Sequence, residues 1–204
     1  MLWLDSADSA APALPAVWLI ATGASPRNLT ERSELRRSTA RRLLARQLGC
    51  AEPDVAIAHD PAGRPLLARP EGTGFALSLA TRAGIVAVAL ARGPVGVDVE
   101  RVETQGALPL EVLHPNERRL LDATVPSLRP LAFARLWAAK EAYVKALGTG
   151  FGRAPEGFAV SLESETTFRV ADPLRSAAAT GQMRIMKNGG QEVLAAAAIV
   201  LDGV

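Results

Sequence analysis

Gly96-Val97-Asp98-Val99-Glu100 reads as a strand, and about forty residues later Trp137-Ala138-Ala139-Lys140-Glu141-Ala142-Tyr143-Val144-Lys145 reads as a helix. In an extended chain, side chains two apart point the same way, so Asp98 and Glu100 project together and Val97 and Val99 go to the opposite face. Two carboxylates in one small space repel unless one is protonated or a cation lies between them, and a hard cation with oxygen ligands is the natural occupant. On the helix, Glu141 and Lys145 share one face a single turn apart and offer a third carboxylate and a cation for phosphate oxygens. The inventory suits phosphoryl-type chemistry.

Toward the N-terminus, Val17 to Ala21 reads as a strand and Asn28 to Leu48 as a helix. Thr30 is its expected N-cap, Leu35, Thr39, Leu43 and Leu44 turn inward, and Gly49 is the stop. The outer side carries Arg36, Arg37, Arg41, Arg42 and Arg46. The run His59 to Gly74, rich in proline and glycine, reads as turns, and Phe75 to Leu79, Ile85 to Ala91 and Val95 to Glu100 as short strands. The plan restarts near Leu108. His114-Pro115-Asn116-Glu117 looks like a helix start, with the helix running to Ala123 and stopping before Pro126. A long helix follows from about Pro130 to Leu147, with Leu131, Ala134, Ala138 and Val144 on its core side and Gly148 and Gly150 at its end. Phe158 to Leu162, Thr167 to Ala171, Gln182 to Lys187 and Gln191 to Leu201 read as strands, the last two flanking Asn188-Gly189, a strong hairpin signal. The expected fold is α+β, in two halves, 1–104 and 105–204, although no repeat is visible in the sequence itself. The site falls between them, because its strand carboxylates close the first half and its helix residues belong to the second.

With 204 residues and 49% hydrophobic content the chain can bury a substantial core, as one large domain or two small ones. A net charge of +2 gives no strong nucleic-acid signal, and with 4% aromatic residues the arginines lack the stacking partners of a single-strand binder. The single cysteine, Cys50, excludes an internal disulfide framework and fits a reducing compartment. The apolar run Ala16 to Ile20 is far too short to span a bilayer and follows acidic rather than basic residues, so the expectation is a cytoplasmic protein with no membrane segment. His59 and His114 lie beside turn or cap signals with no nucleophile in view, which argues against a Ser-His triad.

The paired pattern Gly-Val-Asp-Val-Glu and Trp-x-x-Lys-Glu-x-x-x-Lys resembles the signature of the 4′-phosphopantetheinyl transferases, in their longer, single-chain form. The resemblance extends to Ala62-Gly63-Arg64-Pro65, Phe75-Ala76-Leu77-Ser78 and Leu147-Gly148-Thr149-Gly150, and covers most of the chain from about Arg37 to Ala198. It implies a pseudo-twofold fold of two similar α/β halves, working as a monomer. The implied activity is Mg²⁺-dependent transfer of 4′-phosphopantetheine from coenzyme A to a serine of an acyl or peptidyl carrier protein. It implies that Asp98, Glu100 and Glu141 hold the metal, that Lys140 and Lys145 meet the pyrophosphate, and that Arg37, Arg64 and Ser78 contact coenzyme A phosphates. Glu141 is the expected acceptor of the serine proton and Trp137 a structural anchor. Carrier proteins of this class are acidic, so the arginine-rich helix offers complementary charge. One departure stands out: where the family has Ser-His-Ser, this chain has Ser78-Leu79-Ala80. Leucine cannot contact a phosphate, which implies altered affinity, another phosphate anchor or reduced activity. The alternative reading, from a different class, is a catalytically weak homologue that binds coenzyme A or a carrier protein as a regulatory module.

Overall fold

The computed structural model describes residues 1–188 and 192–202. In chain order the elements are β1 (Leu2–Leu4), β2 (Ala16–Ala21), α1 (Leu29–Leu48), β3 (Ala56–His59), β4 (Pro65–Arg69), β5 (Ala76–Arg82), β6 (Ile85–Ala91), β7 (Val95–Arg101), α2 (Pro115–Ala123), α3 (Arg129–Leu147), β8 (Ala159–Leu162), β9 (Thr167–Ala171), β10 (Ala179–Asn188) and β11 (Glu192–Val200). They form a four-stranded sheet in the order β1-β2-β6-β5, a five-stranded sheet in the order β7-β11-β10-β9-β8, and the hairpin β3-β4. The chain is α+β, as its pattern predicts.

Period-two alternation sets the layers. Along β2, Trp18 and Ile20 pack with Leu43 and Leu44 of α1, whereas Val17 and Leu19 join Val95, Val97, Val99, Ala196 and Ala198 of the other sheet. The two sheets therefore meet face to face, with α1 on the outside of one. On the outside of the other, α3 packs Leu136, Ala139, Ala142 and Tyr143 against Ala197 and Ile199 of β11. A strand covered on both faces needs apolar residues throughout, and β6 is buried at every position. β7 follows β6 in the chain yet hydrogen-bonds to β11, from Val95 opposite Val200 to Arg101 opposite Leu194.

Three local expectations are corrected. Asn28, not Thr30, caps α1: its Oδ1 accepts the Glu31 N–H at 2.9 Å. The run from His59 to Gly74 is not turns alone, because Pro65–Arg69 pairs with Ala56–His59. Asp60 Oδ1 accepts the Arg64 N–H at 2.8 Å and closes the turn between the strands, and Pro65 stands at the first position of its strand, where the missing N–H is tolerated. β1 was not expected; it is three residues long and pairs in parallel with β2. Gly189 of the expected hairpin turn and Gln191 lie outside the described residues. Among the described residues, no helix is long and apolar enough to cross a membrane.

Candidate active site

Gly96 lets strand β7 and helix α3 meet without a side chain between them. A Cβ there would fall on the Ala142 carbonyl of α3. At this close approach Val97 and Val99 point into the layer between the sheets, so Asp98 and Glu100 face the helix. Lys145 reaches across: its Nζ donates to Asp98 Oδ1 at 2.6 Å and to the Val97 carbonyl at 3.2 Å. The i,i+4 partner, Glu141, is left without an ion pair among the described residues.

Electrostatics bind the three carboxylates into one unit. Burial pushes Asp98 up, against the pull of Lys145. Glu100 is pushed up to about 7 by burial and by the Asp98 charge, with Arg82 opposing. Glu141 is raised by burial and again by Asp98. Carboxylates that raise one another form a site in want of positive charge. Asp98 Oδ2 is buried with no hydrogen-bond partner, and the all-oxygen donor set is that of a hard divalent cation. The donor chemistry therefore fits a metal, while the arrangement does not gather the trio: among the described residues, no three acidic, histidine or cysteine side chains close on one point. Lys145 draws Asp98, and Arg82 Nε lies 3.4 Å from Glu100 Oε2.

Trp137, Glu141, Val144 and Lys145, one stripe of α3, line a cavity of about 460 Å³. Ser78, Leu79, Arg64 and His59 from the N-terminal half line it too. The Ser78 hydroxyl accepts the Val97 N–H at 3.1 Å, which ties β5 to β7. Arg64 pairs with Asp60 at 3.2 Å and lies over Gly148, the left-handed C-cap of α3 (φ 68°), where a Cβ would come within 2.7 Å of its guanidinium. The left-handed conformation favours glycine there, and the Arg64 guanidinium would have to shift to admit a side chain.

Arg37 is not at the cavity. It is exposed and lines a separate groove with Arg41 and Arg69. Arg36 takes the place expected of it, with its Nε buried and unpartnered, and desolvation followed by the Arg37 charge lowers its pKa. The signal was present: Arg36 lies four residues before Ala40 and seven before Leu43, both buried, and Arg37 is turned 100° further toward water. His59 was likewise missed, since a turn histidine shows no partner in sequence.

Lys140 is a second correction. It is fully buried beside the cavity-lining stripe of α3, 2.8 Å from Glu117 Oε1 of α2, and burial lowers its pKa. A side chain so enclosed cannot meet a phosphate. The helix is covered on nearly every side, so a residue adjacent to Glu141 turns to protein, not to solvent.

Residues 94–197, just over half of the chain, match the family model of the 4′-phosphopantetheinyl transferase superfamily. A Synechocystis sp. protein bearing the name "Putative 4'-phosphopantetheinyl transferase slr0495" is 30% identical over 119 residues, covering 56% of this chain and 48% of that protein. The 4′-phosphopantetheinyl transferase gsp of Aneurinibacillus migulanus is 35% identical over 66 residues, 32% of this chain and 28% of its own. The chain thus spans about half or less of the curated relatives that it matches. Thermotoga maritima holo-[acyl-carrier-protein] synthase is similar in structure over 53% of this chain and 64% of its own, with 23% identity and a TM-score of 0.36. The matched span holds the acidic strand, the helix that faces it and the close approach at Gly96 that joins them, and on that span the chain belongs to the 4′-phosphopantetheinyl transferase superfamily.

Proposed function

We propose that the protein transfers the 4′-phosphopantetheine group of coenzyme A to a serine hydroxyl of an acyl or peptidyl carrier protein. The observation that supports this above others is a single cavity lined by Glu141 and Lys145 of α3 together with Arg36 and Arg64. A ligand with a pyrophosphate and a further phosphate needs several cations in one space. The names of the curated relatives support the same reaction.

The serine Oγ forms a new P–O bond, the pyrophosphate P–O bond breaks, and adenosine 3′,5′-bisphosphate leaves with the electron pair. The serine proton passes to Glu141, whose pKa burial and then the Asp98 charge raise, making its carboxylate the stronger base. Lys145 neutralises the pyrophosphate, while Arg36 and Arg64 hold the nucleotide end. Ser78 keeps the wall between them fixed through Val97. Mg²⁺ held by Asp98, Glu100 and Glu141 would supply neutralisation of charge on the phosphoryl oxygens. Arg37, Arg41, Arg42 and Arg46, all exposed, give α1 a basic face for an acidic carrier. Leu79 belongs to the core under α1 and leaves the phosphate contact to the arginines and His59.

Mass spectrometry of carrier proteins incubated with this protein, coenzyme A and Mg²⁺ tests the reading. One serine should gain the phosphopantetheine mass, and Glu141→Gln should lower the rate at least about a hundredfold with the fold intact. Transfer at the parental rate by Glu141→Gln overturns its role as base. Binding of coenzyme A with no transfer to any carrier would replace the reading with the binding module.

A further inference from the structure

The ammonium of Lys140 has three protons and three acceptors. Nζ lies 2.8 Å from Glu117 Oε1, 2.7 Å from the Pro155 carbonyl and 2.8 Å from the Phe158 carbonyl, and it stands over the Phe158 ring, 4.3 Å from its centroid. Glu117 is equally committed: Oε1 also accepts the Val160 N–H at 2.7 Å, and Oε2 accepts the His114 N–H at 2.8 Å. One buried pair thus ties the start of α2, the middle of α3 and the segment from Pro155 to Val160.

That segment backs onto the cavity, which Arg153 and Pro155 line. Arg153 is itself pinned, its guanidinium donating to both oxygens of Asp172 at 3.1 and 2.6 Å and to the Gly157 carbonyl at 2.7 Å. Tyr143, one helical turn on from Lys140, donates its hydroxyl to the same Asp172 at 2.9 Å. α3 therefore presents Glu141 and Lys145 to the cavity and, through Lys140 and Tyr143, also holds the segment that supplies Arg153 and Pro155 to its wall.

A buried ion pair is a poor source of stability, because apolar residues of similar volume often serve as well or better. What they could not supply is directional bonds to the carbonyls of Pro155, which opens a single 3₁₀ turn, and of Phe158, which follows that turn; both carbonyls need partners. We propose that Lys140 and Glu117 are positioning residues: they clamp the wall at 153–158 against α3 and so set the width of the cavity for its phosphorylated ligand. This rests on the reading of the cavity as the coenzyme A site.

The test compares Lys140→Met, which strands Glu117 in the core, with the double variant Glu117→Leu, Lys140→Met, which leaves no buried charge. The double variant should recover most of the melting temperature lost by the single one. Both should show at least a tenfold rise in KM for coenzyme A, with kcat and the KM for carrier nearly unchanged. Deuterium uptake by the peptide 151–162 should rise in the double variant, a readout that needs no ligand. Glu117→Gln, which leaves the Lys140 bonds to Pro155 and Phe158 in place, should raise that KM far less. Parental uptake and parental KM in a stably folded double variant overturn the clamp. Increased uptake in a protein whose parent binds no coenzyme A upholds the clamp and sinks the assignment of the cavity.

Discussion

Asp98 shows how a residue is shaped by what lies on either side of it. One oxygen is held by Lys145 and the other is buried with no partner, so the group is half satisfied in its own fold. Asp172 is the opposite case. Burial disfavours its charge, yet the Arg153 guanidinium, the Leu174 N–H and the Tyr143 hydroxyl outweigh burial and hold its carboxyl below the ordinary value. A carboxyl so held binds fewer protons in the folded chain than in the unfolded one. Its stabilisation is present above the unfolded value of about 4 and fades as pH falls through the folded value. Asp172→Asn should therefore cost about 2–3 kcal/mol at neutral pH. Urea denaturation at pH 7 and near pH 3 should show that deficit shrinking in acid, and an equal deficit at both would rule out the linkage. The shared faces of Asp98 with Glu100 and of Glu141 with Lys145 were legible in the sequence because spacings of two and four fix them whatever surrounds them, whereas the gathering of the three carboxylates on one point, which the described residues do not show, depends on how strand and helix meet. Arg36 and Lys140 were misread because one residue of helix is a 100° turn, and which direction faces water depends on neighbours that spacing does not reveal.

At the scale of elements, the contact of β7 with α3 decides the site. An alanine at position 96 has no rotamer by which to escape the Ala142 carbonyl, and the displaced backbone is that of two buried elements. Gly96→Ala should destabilise the fold by about 3 kcal/mol or more. Chemical denaturation would read this directly, and a loss below about 1 kcal/mol would mean that the helix is free to move away. The long helices and the buried strands were legible from periodicity and from Gly49 and Gly148, both left-handed caps. The β3–β4 hairpin was not. Its strands are short, half exposed and bordered by prolines, so the turn chemistry around Asp60 and Gly63 masked the pairing on either side.

At the scale of the whole molecule, the two sheets share one apolar layer, and β7 crosses it: it leaves the first sheet's last strand and becomes the edge of the second. The halves are thus interlaced rather than docked. Cutting the chain in the exposed loop from Glu103 to Ala107 would strand β7 on the first fragment without β11, its hydrogen-bonding partner. Alone, residues 1–104 would present an unpaired apolar edge and aggregate. Expressed together, the two pieces should find each other and copurify as a one-to-one complex, because the missing partner of each lies in the other. A monomeric, cooperatively melting 1–104 fragment would contradict this. If complementation holds, the protein is a split reporter by construction: its cavity, with Lys145 on one fragment and Arg64 on the other, exists only while both pieces are joined.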